Sequence, residues 1–169
     1  IKYTTIKGKS FGYQVLGFGA GGGGNPFIAA TGGTITTVDT DYKVHTFTGP
    51  GTFTVTAAGT PAGSDTVDYL VVAGGGGTAS GGAGGGGFRL SNSTCMPAPL
   101  TSPLANPTGL PVSVTCYPIT VGGGGTCNPN GLPTASTTGS NSIFSTITSA
   151  GGGGAGSNGI PSGGAGGSG

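Results

Sequence analysis

The sequence predicts an all-β protein, an antiparallel β-sandwich or meander whose strands anchor glycine-rich tracts. Helix formers are scarce, since the 169 residues contain no Trp, one Met and no Glu, and no window shows the apolar spacing of an amphipathic helix. Thr, Val and Ile instead alternate with Phe and Tyr, which is typical of half-buried strands. The third observation is the glycine content of 42 residues, much of it in tracts at residues 21–24, 74–77, 84–87, 122–125 and 151–154.

Four of the five tracts follow a short β-like segment that opens with an aromatic residue. These segments begin at Tyr13, Tyr69, Tyr117 and Phe144, so strand followed by tract is an internal repeat. A tract held by strands can form an extended polyglycine helix of about three residues per turn, whose backbone groups point outward and pair with parallel neighbours. Several tracts side by side would form a thin slab. Disordered coil or plain turns within a β-sandwich is the alternative, because ordering glycine is entropically costly.

The conventional strands follow one another between turn signals. Residues 39–41 and 49–51 carry Asp, Gly and Pro where hairpin turns need them, which predicts a meander over residues 31–58. The run at residues 67–73 is apolar on both faces and is expected to be a central, covered strand. The predicted strands are residues 2–7, 11–18, 34–38, 42–48, 52–57, 67–73, 112–121 and 143–149.

Residues 90–116 differ from the rest because they are rich in proline and include two of the three cysteines. They suit an extended surface excursion. A disulfide between Cys95 and Cys116 is favoured, because closing this loop would restrain the unfolded chain by roughly 3 kcal/mol. Free thiols and a bond between Cys116 and Cys127 remain open, since connectivity does not follow from sequence.

Charge and hydropathy exclude several classes of partner. The chain has five Lys or Arg and four Asp or Glu, without the basic stripe that a nucleic-acid-binding surface needs. No apolar run approaches the ~20 residues that cross a bilayer, so we expect neither nucleic-acid binding nor membrane insertion. Glycine contributes no apolar side chain to a core, and association with identical chains is therefore expected to supply part of the stability.

The residues also argue against an enzyme, a cofactor site or a metal site. Gly17-Phe-Gly19-Ala-Gly21-Gly22 fits a dinucleotide-binding pattern only by chance, because Asn25-Pro26 follows where the phosphate-binding helix should start. His45 is the only histidine and is expected to be an ordinary residue on one face of a strand. Asp39 and Asp41 share a turn, where Asx hydrogen bonds are their ordinary role, and a loose calcium site is the alternative.

An ordered series of motifs covers roughly residues 30–169. It includes Ala30-Thr-Gly-Gly-Thr-Ile-Thr-Thr, Val67-Asp-Tyr-Leu-Val-Val-Ala-Gly-Gly-Gly-Gly, Gly84-Gly-Gly-Gly-Phe-Arg and Tyr117-Pro-Ile-Thr-Val-Gly. This series resembles the glycine-rich domain of bacteriophage tail fibres and adhesins, of the kind found in phages of cyanobacteria and other Gram-negative hosts. The resemblance divides the chain into residues 1–29, a strand segment serving as connector or virion attachment end, and residues 30–169, the glycine-rich domain with its insert at 90–116.

The resemblance implies a non-enzymatic virion protein, located extracellularly in a trimeric tail fibre. Its expected partners are other virion tail proteins and a host cell-surface glycan or outer-membrane protein. A fibre shaft or connector without receptor contact is the alternative. No binding residue is fixed by a motif, and the candidate receptor contacts are exposed positions of the insert: Asn92, Met96, Leu104 and Asn106.

Overall fold

A computed structural model describes residues 2–6, 26–91, 105–128, 136–159 and 162–167. These residues form twelve β-strands and no helix, as the sequence predicts. The strands are β1 Lys2–Ile6, β2 Ile28–Thr31, β3 Thr34–Val38, β4 Tyr42–Thr46, β5 Gly51–Ala58, β6 Thr66–Val72, β7 Phe88–Ser91, β8 Ala105–Asn106, β9 Leu110–Pro111, β10 Cys116–Thr120, β11 Ser142–Phe144 and β12 Ile147–Ser149.

The strands form two main sheets. The larger has the order β3-β4-β1-β6-β7-β8, with β9 paired to β6, and the smaller has the order β12-β11-β10-β5-β2. Neighbouring strands are antiparallel, except that β7 and β8 run parallel. β1 lies between β4 and β6, so the larger sheet joins strands that are far apart in sequence.

The core lies between the two sheets and is built on aromatic rings. Phe53 and Phe144 of the smaller sheet are fully buried and meet edge to face at 5.9 Å. Phe144 also meets Tyr69 of the larger sheet at 6.5 Å, and edge-to-face contacts at such distances stabilise beyond simple burial. The two sheets therefore pack as a sandwich, which confirms the predicted fold class.

The predicted meander over residues 31–58 is correct for its first hairpin and wrong for its last strand. β3 and β4 pair in regular register, and the intervening Asp39 and Thr40 adopt positive φ values of 49° and 62°, as tight hairpins require. β5, however, pairs with β2 and β10 in the other sheet. Where the chain changes sheet, Phe47 is buried and its ring packs against Gly51, where an added Cβ would lie 3.0 Å from the ring.

Three further strand predictions need correction. The strand at residues 67–73 is central, since β6 pairs with β1, β7 and β9, but only one of its faces is covered, and Val72 is 45% exposed. The predicted strand at 143–149 is two strands, because Ser145 has a φ of 54° and turns the chain between β11 and β12. The predicted strand at 112–121 is regular only from Cys116 to Thr120. The predicted strand at 11–18 lies outside the described residues.

His45 lies on the inner face of β4, where its side chain is buried. Its Nδ1 lies 2.8 Å from the Gly32 carbonyl oxygen, and its ring meets Phe53 edge to face at 5.1 Å. Burial lowers the pKa of His45 below the usual 6.5, and the charge of Lys43 adds to this, while the bond to Gly32 opposes it. The neutral imidazole is thus the form that the core accepts.

Acidification is expected to destabilise the protein through His45. Because the folded-state pKa is the lower one, the stability contributed by the neutral ring is complete above pH 6.5 and falls as the pH drops through the folded-state pKa. His45 is the only histidine, so few other groups titrate between pH 7 and 5. Urea unfolding of wild type and His45→Gln at both pH values should show a steeper loss for wild type; parallel losses would contradict this assignment.

Candidate functional site

The glycine tracts lie side by side in one packed body, which we call the glycine bundle. It consists of residues 73–78, 84–87, 122–128, 136–140, 150–155 and 163–167. Segments 136–140 and 163–167 were not recognised as tracts in the sequence, although they contain the small residues that such packing needs. The tract at residues 21–24 lies outside the described residues.

Hydrogen bonds between neighbouring segments repeat every third residue. Gly74 and Gly77 donate to the carbonyls of Ser140 and Thr137 at 3.1 and 2.9 Å. Between them, Gly76 donates to Gly84 on a different side at 2.9 Å. This period is that of an extended helix with about three residues per turn, and no tract glycine among the described residues has a positive φ. The packed-tract interpretation is therefore correct, and the coil alternative is wrong for these tracts.

The neighbours are arranged differently from the expected parallel slab. Segment 73–78 lies at the centre, antiparallel to segments 84–87 and 136–140 and parallel to 122–128 and 150–155. Segment 150–155 in turn accepts bonds from 84–87 and 163–167. The central segment thus has neighbours on several sides, which makes a bundle instead of a single layer.

Glycine is required where one backbone lies directly on another. An added Cβ at Gly76 would meet the Gly153 carbonyl oxygen well inside 3.0 Å, and one at Gly152 would meet that of Gly84. Adjacent positions are open: the nearest atom to an added Cβ is 3.8 Å away at Gly75, and nothing lies within 4 Å at Gly123. Tracts 74–77, 84–87 and 122–125 therefore contain both positions that exclude a side chain and positions that tolerate one, whereas every glycine of tract 151–154 excludes one.

Polar side chains fasten the bundle to the strands. The Ser142 hydroxyl accepts the Gly122 N–H at 2.9 Å, and the Asn141 side-chain carbonyl accepts the Gly151 N–H at 2.9 Å. The Ser136 hydroxyl lies 2.6 and 2.9 Å from the carbonyl oxygens of Gly77 and Ala155 and can donate its one hydrogen to either. Backbone groups at the segment ends thereby gain partners that the extended helix itself cannot supply.

All strand-attached ends of the bundle lie on the same side. Three segments run away from the strand that precedes them: 73–78 from β6, 122–128 from β10 and 150–155 from β12. Two segments return toward the strand that follows them: 84–87 leads into β7, and 136–140 leads into β11. The opposite side, which we call the free end, consequently carries the connections between segments. Residues 79–83 and 156–159 belong to it, and residues 129–135 lie outside the described part of the chain.

The free end holds an open cleft of about 530 Å³, within the usual size range of small-molecule sites. None of its described lining residues is charged, and within the described part of the chain the buried Ser157 hydroxyl has no hydrogen-bond partner. Such a lining favours contact with uncharged, hydrogen-bonding groups. The lining residues are Ser80, Gly81, Gly82, Gly156, Ser157, Asn158 and Gly163.

Of the predicted contact residues of the insert, Asn106 is the one within the described residues, and it does not lie at this end. Asn106 is exposed in β8, where its Oδ1 accepts the N–H and hydroxyl of Thr108 at 3.2 and 3.1 Å. The insert begins where β7 ends, and β7 runs away from the bundle, so Asn106 and the free end are separated by the sheet. Asn92, Met96 and Leu104 lie outside the described residues, and their role stays a prediction. One sequence signal does point to the free end. Tracts 74–77 and 84–87 are joined by only the short stretch 78–83 of small residues, so the chain must turn back between them.

The structure decides one of the three alternatives for disulfide bonding of the cysteines. Cys116 in β10 is exposed, with its sulfur 3.6 Å from the Thr54 hydroxyl, and Cys127 is exposed beyond its tract. These two are not bonded to each other. Cys95 lies outside the described residues, and its pairing with Cys116 stays a prediction.

The described residues contain no group of three or more His, Cys, Asp or Glu side chains placed to hold a metal ion. No helix in the described ranges is long and apolar enough to cross a membrane.

The fold and the bundle define a class of all-β protein in which a sandwich carries packed glycine helices. Residues 46–169 match the sequence profile of a family described as glycine-rich domain. Because the match covers well over half of the sequence, the chain belongs to this glycine-rich domain family. Comparisons with curated proteins and with solved structures found no match.

Proposed function

We propose that the chain is a structural virion protein, part of a phage tail fibre or adhesin that contributes to host-surface recognition. The observation that carries the proposal is the bundle, a hydrogen-bonded body held by strands at one end and carrying loops at the other. Such a body keeps the free end at a fixed distance from the sandwich, which suits a surface that must reach a partner. The motif series that resembles tail-fibre domains supplies the virion context.

The proposed partners are an uncharged host glycan or an outer-membrane protein, other virion tail proteins, and identical chains in a homo-oligomer. The cleft at the free end favours the glycan, because glycine backbone, serine and asparagine line it without charge. Recognition there would depend on shape and hydrogen bonds. We propose no enzymatic activity and no cofactor.

A bulky side chain at the free end is expected to reduce cell binding. Gly82 is exposed, and nothing lies within 4 Å of an added Cβ, so Gly82→Trp should fill the cleft without disturbing the fold. Gly123→Trp is the matched control, because Gly123 is equally open and lies at the strand-attached end. We expect labelled wild type and the control to bind at least one strain in a panel of cyanobacteria and other Gram-negative cells, and Gly82→Trp to bind at least about tenfold more weakly.

A shaft or connector without receptor contact is the second candidate function. The extensive hydrogen bonding of the bundle favours it, because a stiff spacer needs such bonding and no binding surface. Wild type that binds none of the cells would support the shaft. Equal binding by Gly82→Trp and wild type would place recognition away from the free end, with the insert as the next region to delete.

A further inference from the structure

Within the described residues, β3 is a sheet edge that is exposed along its whole length. It is the last strand of the larger sheet, and its one partner in that part of the chain is β4. All five of its residues are exposed, including Ile35 at 45% and Val38 at 41%. Its outer side therefore presents backbone N–H and C=O groups that a further strand could pair with.

The other sheet edges in the described residues are shorter or irregular. β8 has two residues and β12 has three. β2 has four residues and a register shift between Ala29 and Ala30, and such a bulge discourages pairing with another chain. β3 alone combines five residues with an unbroken register.

β3 also lacks the residues that usually protect an edge. Its sequence, Thr34-Ile-Thr-Thr-Val38, contains no charge, no proline and no glycine, whereas natural edges are commonly guarded by lysine, proline or a bulge. Threonine, isoleucine and valine are strong strand formers. The hairpin turn at Asp39 and Thr40 fixes the strand at its end, so little order has to be gained on pairing.

We propose that β3 pairs antiparallel with β3 of a second copy of this chain, joining the two larger sheets into one continuous sheet. A two-fold axis at Thr36 places Thr34 opposite Val38 and Ile35 opposite Thr37, and since the strand is uncharged no like charges meet. Ile35 lies opposite buried His45 in the register with β4, at the rim of the core. Pairing would cover Ile35 and Val38, the exposed apolar side chains of this strand.

This contact is independent of the proposed receptor binding, because β3 belongs to the sheet and the cleft to the free end of the bundle. A two-fold contact gives an even number of copies. A trimer would have to use another surface, so the molar mass in solution separates the two assemblies.

Light scattering of the full chain tests the pairing. We expect wild type to be a dimer. Thr36→Lys and Ile35→Lys each place like charges at the two-fold contact, on opposite faces of the sheet. Each variant should raise the dimer dissociation constant at least tenfold. Thr120→Lys is the matched control, an exposed strand threonine on an interior strand of the smaller sheet, and should remain dimeric. Circular dichroism checks that each variant keeps its strands.

Hydrogen exchange of wild type gives a second measurement that needs no variant. Amides on the outer side of β3 should become protected as the protein concentration rises through the dissociation constant, while those of the bundle should not change. A monomeric wild type, a trimer unaffected by Thr36→Lys and Ile35→Lys, or β3 amides that exchange rapidly in the oligomer would each overturn the proposal.

Discussion

Gly76→Ala is expected to destabilise the protein by about 3 kcal/mol or more. The new Cβ would meet the Gly153 carbonyl well inside 3.0 Å, and also the Gly152 carbonyl oxygen at 3.0 Å, so the segments must separate. Separation breaks bonds such as Gly152 to Gly74 at 2.8 Å and Ala155 to Gly77 at 2.9 Å. Each buried backbone group left without a partner costs about 1–3 kcal/mol. Urea unfolding gives the change in free energy.

Gly75→Ala is the matched control and is expected to have the opposite sign. Its added Cβ would have its nearest neighbour at 3.8 Å, an ordinary contact, and its φ is not positive. Alanine at such a position stabilises by about 0.4–1 kcal/mol, because it restricts the unfolded chain. Two adjacent glycines of one tract should thus respond in opposite directions. Similar effects at both positions would mean that the packing of the bundle is not what makes Gly76 necessary.

Hydrogen exchange shows whether the damage is local to the bundle. In wild type, the amides of Gly84 and Gly152 donate to carbonyls at 2.8 Å and should exchange slowly. In Gly76→Ala these two amides should exchange faster than in wild type, and the increase should be larger for them than for the amides of β10 and β5. Fast exchange of Gly84 and Gly152 in wild type would contradict the bundle itself.

The sequence determines the strands best where side-chain alternation and turn chemistry agree. β3 has the predicted bounds, because β-branched residues are followed directly by the turn at Asp39. β2 was missed, since Ile28–Thr31 is short and includes two alanines that carry little β signal. β7 was missed because its four residues follow a tract directly and lead into the insert.

Sheet order and tract neighbours could not be predicted for a different reason. β1 pairs with β4 and β6, and no local pattern specifies such a non-local partner. The tracts are nearly identical in sequence, so their register is fixed by the strands and by side chains such as Asn141 and Ser142. The lining of the cleft at the free end follows from that register, so no local sequence pattern indicates it.

Phe144→Ala is expected to be the most damaging change in the sandwich, at about 3–5 kcal/mol, because removing a buried aromatic side chain leaves a cavity. Phe144 is fully buried and meets Tyr117, Phe53 and Tyr69 at 6.1, 5.9 and 6.5 Å, so its loss removes contacts to both sheets. Small domains have about 5–15 kcal/mol in total, and a large part of the stability should therefore disappear.

Phe88→Ala is the control for Phe144→Ala, since Phe88 is 40% exposed in β7 and its truncation should cost about 1 kcal/mol or less. Urea unfolding compares the two.

The strand that contains Phe144, β11, directly follows segment 136–140 of the bundle, and the hydroxyl of Ser142 in the same strand accepts the Gly122 N–H. Phe144→Ala should for that reason also speed exchange of the Gly139 amide, which donates to Gly152 at 2.8 Å. If the sandwich weakens while Gly139 stays protected, the bundle holds itself together without the sandwich; if both loosen in parallel, the aromatic core stabilises the bundle as well as the sheets.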